Sequence, residues 1–123
     1  MKEYVIQISP NFELNIEELD PENVLGDLQS LCGGYIQTVL ARFEDQSLVL
    51  VLDEEGKLKD KPVNVIATWL TDFQMDKIVG PAVLCREGLR DGEPDLVGFG
   101  REEAADLALD IVESFVGKLK KVR

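Results

Sequence analysis

Five apolar residues in succession, Leu48-Val49-Leu50-Val51-Leu52, constrain this fold more than any other feature. Successive side chains of a strand point to opposite faces, so a run with no polar alternate has to be covered on both sides. The run therefore reads as a central strand with structure packed above and below it. At 123 residues the chain can bury one sizeable core without help and is too short for two. It reads as a single domain over 1–123.

Other segments fall into place around that strand. Tyr4, Ile6 and Ile8 alternate with Val5 and Gln7, and Phe12, Leu14 and Ile16 with Glu13, Asn15 and Glu17, the period of half-buried strands. Asp20 followed by Pro21 reads as an N-cap and first helical residue, opening a short helix through Val24, Leu25, Leu28 and Leu31 that Gly33-Gly34 closes. Tyr35 to Phe43 alternates as a strand. Asn64 is an N-cap for a second short helix carrying Val65, Ile66, Trp69 and Leu70. Ile78 to Cys85 reads as a strand, and Pro81 within it argues for an edge position or a bulge, because proline cannot donate to the ladder. Arg86 to Asp95 has the composition of an exposed hairpin loop, followed by a short strand at Leu96 to Phe99.

The strongest helical signal is C-terminal. Ala104, Leu107, Ala108, Ile111, Val112 and Phe115 share one face of a helix over about 101–116, and Asp106, Asp110 and Glu113 occupy its polar face. A basic tail, 117–123, follows with Lys118, Lys120, Lys121 and Arg123. The fold class expected is α+β: a mixed or mainly antiparallel sheet of about five to six strands, packed by two short helices and one longer C-terminal helix.

Histidine is absent, which removes the commonest general base, the Ser-His-Asp and Cys-His arrangements and every His-containing zinc site. Cys32 and Cys85 are too few for a disulfide framework or an all-thiolate zinc site, and both read as buried small hydrophobes. No catalytic constellation, cofactor or metal site is expected. The 24 Asp and Glu against 13 Lys and Arg give a net charge of −11, concentrated in the first half of the chain. Such a field repels nucleic-acid backbones and favours a basic protein partner. No secretory signal or membrane-length apolar run is legible, so the expectation is a soluble cytoplasmic protein without a membrane partner.

The run LQSLCGGYIQTV, then SLVLVLDEEGKLKDKPVN, then the helix containing ATWL and the strand IVGPAVL, resembles the domain of unknown function family numbered 3846. Leu28 to Leu84 carries the resemblance. It differs modestly from the family pattern, with Asp53 where asparagine usually starts the acidic turn and Cys32 where valine commonly precedes the glycines. The resemblance implies a bacterial or mobile-element origin, in phages, plasmids or gut Firmicutes, and a fold type. It implies no activity and no catalytic residue.

Two candidate surfaces follow from the residues themselves. Gly33, Gly34, Tyr35, Asn64, Thr68 and Trp69 could form a ligand site at one end of the sheet, with Trp69, Tyr35 and Phe43 as an aromatic wall. Glu13, Glu17 and Glu18, with the turn Asp53, Glu54 and Glu55, could form an acidic partner-binding face; the turn itself reads as a solvated hairpin, with Lys57, Lys59 and Lys61 following on a solvated segment. The leading expectation is an accessory protein that binds another protein, dimerising through an exposed edge strand or its last helix. The alternatives are a metabolite- or nucleotide-binding domain and a DNA-mimic inhibitor.

Overall fold

The computed structural model describes residues 2–71 and 77–120. In chain order the elements are β1 (Glu3–Ile8), β2 (Leu14–Leu19), α1 (Val24–Cys32), β3 (Ile36–Phe43), β4 (Gln46–Asp53), α2 (Val65–Leu70), β5 (Ala82–Arg90), β6 (Glu93–Val97) and α3 (Arg101–Lys120). The strands form one antiparallel sheet in the order β2-β1-β5-β4-β3, and β6 pairs with the second half of β5. The protein is a single small α+β domain with a long C-terminal helix.

The five-residue apolar run occupies β4, and its two faces account for the layering. Leu48, Leu50 and Leu52 pack with Ile6, Ile8, Leu84 and Phe99 under α2 and α3, while Val49 and Val51 pack with Val5, Val83, Cys85 and Leu19 under α1. Each large core side chain removed from water in this way contributes about 1.5–3 kcal/mol. The sheet is thus the middle of three layers.

Pro81 stands immediately before β5, so no ladder bond is lost to it, and β5 lies between β1 and β4. The edge position expected from Pro81 is therefore corrected: β5 is central. Its pairing continues through Gly88 to Arg90 and turns at Asp91-Gly92 into β6, so the stretch expected to be loop is a paired hairpin. Helix α1 begins at Val24, later than Pro21, because the Asp20 carboxylate accepts from the Glu22 N–H and the Asp27 carboxylate accepts from the Asp20 N–H, holding 20–22 as a turn. Helix α3 continues through Gly117 to Lys120, past the boundary expected at 116. Its buried face is Ala104, Leu107, Ala108, Ile111 and Phe115, and Val112 lies on the exposed side instead. Lys121 and Arg123 of the basic tail lie outside the described residues.

Two polar networks pin the layers together. Arg90 donates to Glu3 at 2.6 and 3.0 Å, to Asp95 at 2.9 Å and to the Leu96 carbonyl, tying β1 to the β5–β6 hairpin. The Arg90 hydrogen bonds outweigh burial and hold the Glu3 carboxyl below its ordinary range, with the Gly98 N–H contributing. On the outer side, Arg86 grips Glu103 of α3 and lies 4.9 Å from the Phe99 ring centre.

Candidate interaction site

The two most distinctive stretches of the sequence, Cys32-Gly33-Gly34 and the segment from Asp53 to Lys61, meet at one end of β3. Helix α1 ends where Gly33 takes φ 87°, a left-handed conformation, and donates its N–H to the Gln29 carbonyl. A Cβ on Gly34 would lie 2.5 Å from the Asp53 carboxyl group, so only glycine lets the chain pass there. Asp53 is 4% exposed. Its carboxylate accepts from Lys59 at 2.7 Å and the Glu55 N–H at 2.9 Å, and pairs with Lys61 at 2.8 Å. The two ammonium groups also reach back, Lys59 to the Gly33 carbonyl and Lys61 to the Cys32 carbonyl. Burial pushes the Asp53 carboxyl up, but the hydrogen bonds from both lysines and the Glu55 N–H outweigh it and hold the group well below the usual carboxylate range.

Asp53 is therefore not part of a solvated acidic turn, and Lys61 is not on a solvated segment; both expectations are corrected. Glu54 and Glu55 are exposed beside the buried carboxylate. Glu13, Glu17 and Glu18 lie at or near β2, on the far side of β1 and β5 from β4, and Glu18 pairs with Lys2 at 3.3 Å. The six acids fall into two separate places and form no single face.

Asn64 and Thr68 are buried and used internally. Asn64 caps α2 by accepting from the Ala67 N–H and donates to the Ile8 and Gly80 carbonyls at 2.8 and 2.9 Å. The Thr68 hydroxyl donates to the Asn64 carbonyl and accepts from the Ile78 N–H. Asn64 thereby locks β1, α2 and the entry to β5 together. Tyr35 is exposed at the start of β3, roughly 26 Å along the strand from Phe43. Trp69 meets Phe43 and Phe115 edge-on, with ring centres at 6.3 and 5.4 Å, and Phe12 stacks on Phe115 at 6.0 Å. The aromatic wall thus consists of Phe43, Trp69, Phe115 and Phe12, without Tyr35. The residues singled out as a ligand set divide among the glycine turn, the Asn64 lock and this aromatic row.

What lies open is the outer edge of β3. It is the terminal strand of the sheet, eight residues long, and Arg42 is its one charged side chain. Val39, Ala41 and Phe43 face the core, while Thr38, Leu40 and Arg42 face the other way, with Leu40 75% exposed. The opposite edge, β2, carries Glu17 and Glu18, charges of the kind that blunt an edge against pairing. Alongside the second half of β3 runs a cleft of about 690 Å³, lined by Leu40 to Glu44, Ser47, Trp69 to Thr71, Ser114 and Lys118. Sequence reasoning missed Ser114 and Lys118 as residues sharing a cleft with Trp69, and Leu40 at the margin of that cleft. Leu40 was legible as the apolar residue out of step in an alternating strand.

Residues 1–107 match the family model of a domain of unknown function, DUF3846. The chain belongs to this family. The match is wider than the stretch from Leu28 to Leu84, taking in β1, β2 and the first turns of α3. No curated protein and no solved structure matches the chain. The glycine turn, the Asp53 knot and the Asn64 lock all lie within the matched residues, and each has a structural role in this fold. Among the described residues, no helix is long and apolar enough to cross a membrane, and no group of three or more Cys, Asp or Glu side chains could hold a metal ion.

Proposed function

We propose that this protein is an interaction module that takes up an extended segment of a partner protein along the outer edge of β3. The observation that carries the reading is the conjunction of that unblocked edge with the Trp69 cleft. In strand addition the main-chain hydrogen bonds supply affinity, and pockets for alternate side chains supply specificity. A strand laid beside β3 would place one such side chain over the cleft and another beside Leu40. The net charge of −11 favours encounter with a basic partner. The accessory role in a phage or other mobile element is part of the same reading. The DNA-mimic version draws little support from the acids, because they are divided between two places and Asp53 is neutralised.

Selection of displayed random peptides against the protein tests this reading, with Trp69, the chain's one tryptophan, as an intrinsic fluorescence probe. Extended peptides with alternating apolar residues should be enriched and should shift Trp69 emission. Leu40→Asp should weaken them about tenfold or more, the equivalent of at least 1.4 kcal/mol. Enrichment of nothing, or binding indifferent to Leu40→Asp, overturns the proposal.

The cleft also favours a second reading, a small-molecule site in which Trp69 stacks on the ligand and Ser47, Thr71 and Ser114 supply hydroxyls. A thermal-shift screen of nucleotides and metabolites tests it, since a ligand bound by the folded state alone raises Tm by mass action. A flat response across the screen counts against this alternative.

A further inference from the structure

Helix α3 carries a second apolar stripe that its own domain does not cover. Ala105, Leu109, Val112, Val116 and Leu119 recur at spacings of four, three, four and three, an average of 3.5 residues, which is the period of a coiled-coil seam. Leu109 is 62% exposed and Leu119 55%, and Val112 and Val116 are also exposed. At 100° per residue the stripe lies about a third of a turn from the buried face of Leu107, Ile111 and Phe115. Ser114 and Lys118, which line the β3 cleft, fall on the opposite flank of the helix.

The charges beside the stripe say what would cover it. The acids of α3 all precede Ser114, and the lysines, Lys118 and Lys120, both follow it. Two α3 helices packed antiparallel about Val112 bring Asp106 of each against Lys120 of the other and oppose the helix dipoles. A parallel pair would align the helix dipoles and set the flank of Glu113 and Lys120 against that of Ala108 and Phe115, which carry no charge. We propose that a second copy of this chain covers the stripe, as an antiparallel α3–α3 homodimer that leaves both β3 edges free. The seam spans about 21 Å, two heptads, so the dimer forms and dissociates with concentration. Glu113 faces its own counterpart beside the twofold axis, an unfavourable contact that keeps the association weak.

Sedimentation equilibrium over two decades of concentration tests the proposal. The wild-type protein should pass from monomer to dimer, and Leu109→Lys should remain monomeric with unchanged circular dichroism and Tm, because Leu109 is not part of the core. Asp106→Lys should weaken the dimer, Asp106→Lys with Lys120→Asp should restore it, and Glu113→Gln should strengthen it. A wild-type protein monomeric throughout overturns the proposal. So does a dimer that Leu40→Asp dissociates and Leu109→Lys does not, since that dimer would pair through β3. Failure of the charge exchange to restore association overturns the antiparallel register. Peptide binding at β3 is read separately, and Leu109→Lys leaves it unchanged.

Discussion

The Asp53 carboxylate lies 2.8 Å from the Lys61 ammonium, directly beneath the passage of Gly34, and Lys61 closes the circuit on the Cys32 carbonyl. A surface turn thereby holds the end of α1 and the start of the open strand β3 in a fixed relation. Because the folded carboxyl titrates well below its unfolded value near 4, its stabilisation is complete above that value and is lost as pH falls below it. Asp53→Asn should cost about 2 kcal/mol at pH 7, the worth of hydrogen bonds to a charged group. Its urea midpoint should also fall less than that of the wild type between about pH 5 and pH 2.5. Equal acid sensitivity of the two proteins would show that the knot does not store this stability.

Asn64→Ala removes a helix cap and strands two buried carbonyls, those of Ile8 and Gly80. A loss of about 3 kcal/mol is expected, read as a lower Tm and denaturant midpoint with an unchanged m-value. Asn64→Asp should be no better, since its added charge would face the same two carbonyl oxygens.

Arg90→Lys keeps the charge and discards the fork that engages Glu3, Asp95 and the Leu96 carbonyl together. The expected cost is about 1–2 kcal/mol. Hydrogen exchange should localise it, with amides of β6 and the start of β1 losing protection before those of β4.

Both cysteines are free and buried, and burial pushes the Cys85 thiol up to about 12 and the Cys32 thiol above its ordinary value. A thiol-disulfide reagent at pH 8 should therefore react slowly with the native protein and titrate two thiols in denaturant. Rapid native reaction of either would contradict this packing.

Periodicity made the layers legible and left the neighbours of each strand unread. The double burial of β4, the Asn64 cap and the α3 core face all follow from local spacing. Pro81 misled because one residue separates a proline that breaks a ladder from one that precedes it, and sequence alone does not locate a strand's first bond. The candidate site was less legible for a related reason. Asp53 is read as solvated whenever its turn is read alone; only the approach of Gly34, from the other side of the β3–β4 hairpin, buries it. The α3 stripe was present in the spacing, but Asp106, Asp110 and Glu113 interleave with it and mark that side of the helix as polar.

The position of β1 governs when this protein can fold. The first strand lies between β2 and β5, with Ile6 opposite Leu84 and the Tyr4 N–H donating to the Phe99 carbonyl. A nascent chain therefore emerges with an apolar strand whose partner has not been synthesised, and closing so long a loop is slow compared with hairpin formation. The β1–β2 and β3–β4 hairpins can form during synthesis, but the sheet cannot join until residues near 99 have cleared the ribosome. Folding of the whole thus waits on the synthesis of β5 and of the segment that follows it, and internal truncations upstream of β6 leave hairpins with sticky edges rather than a smaller domain.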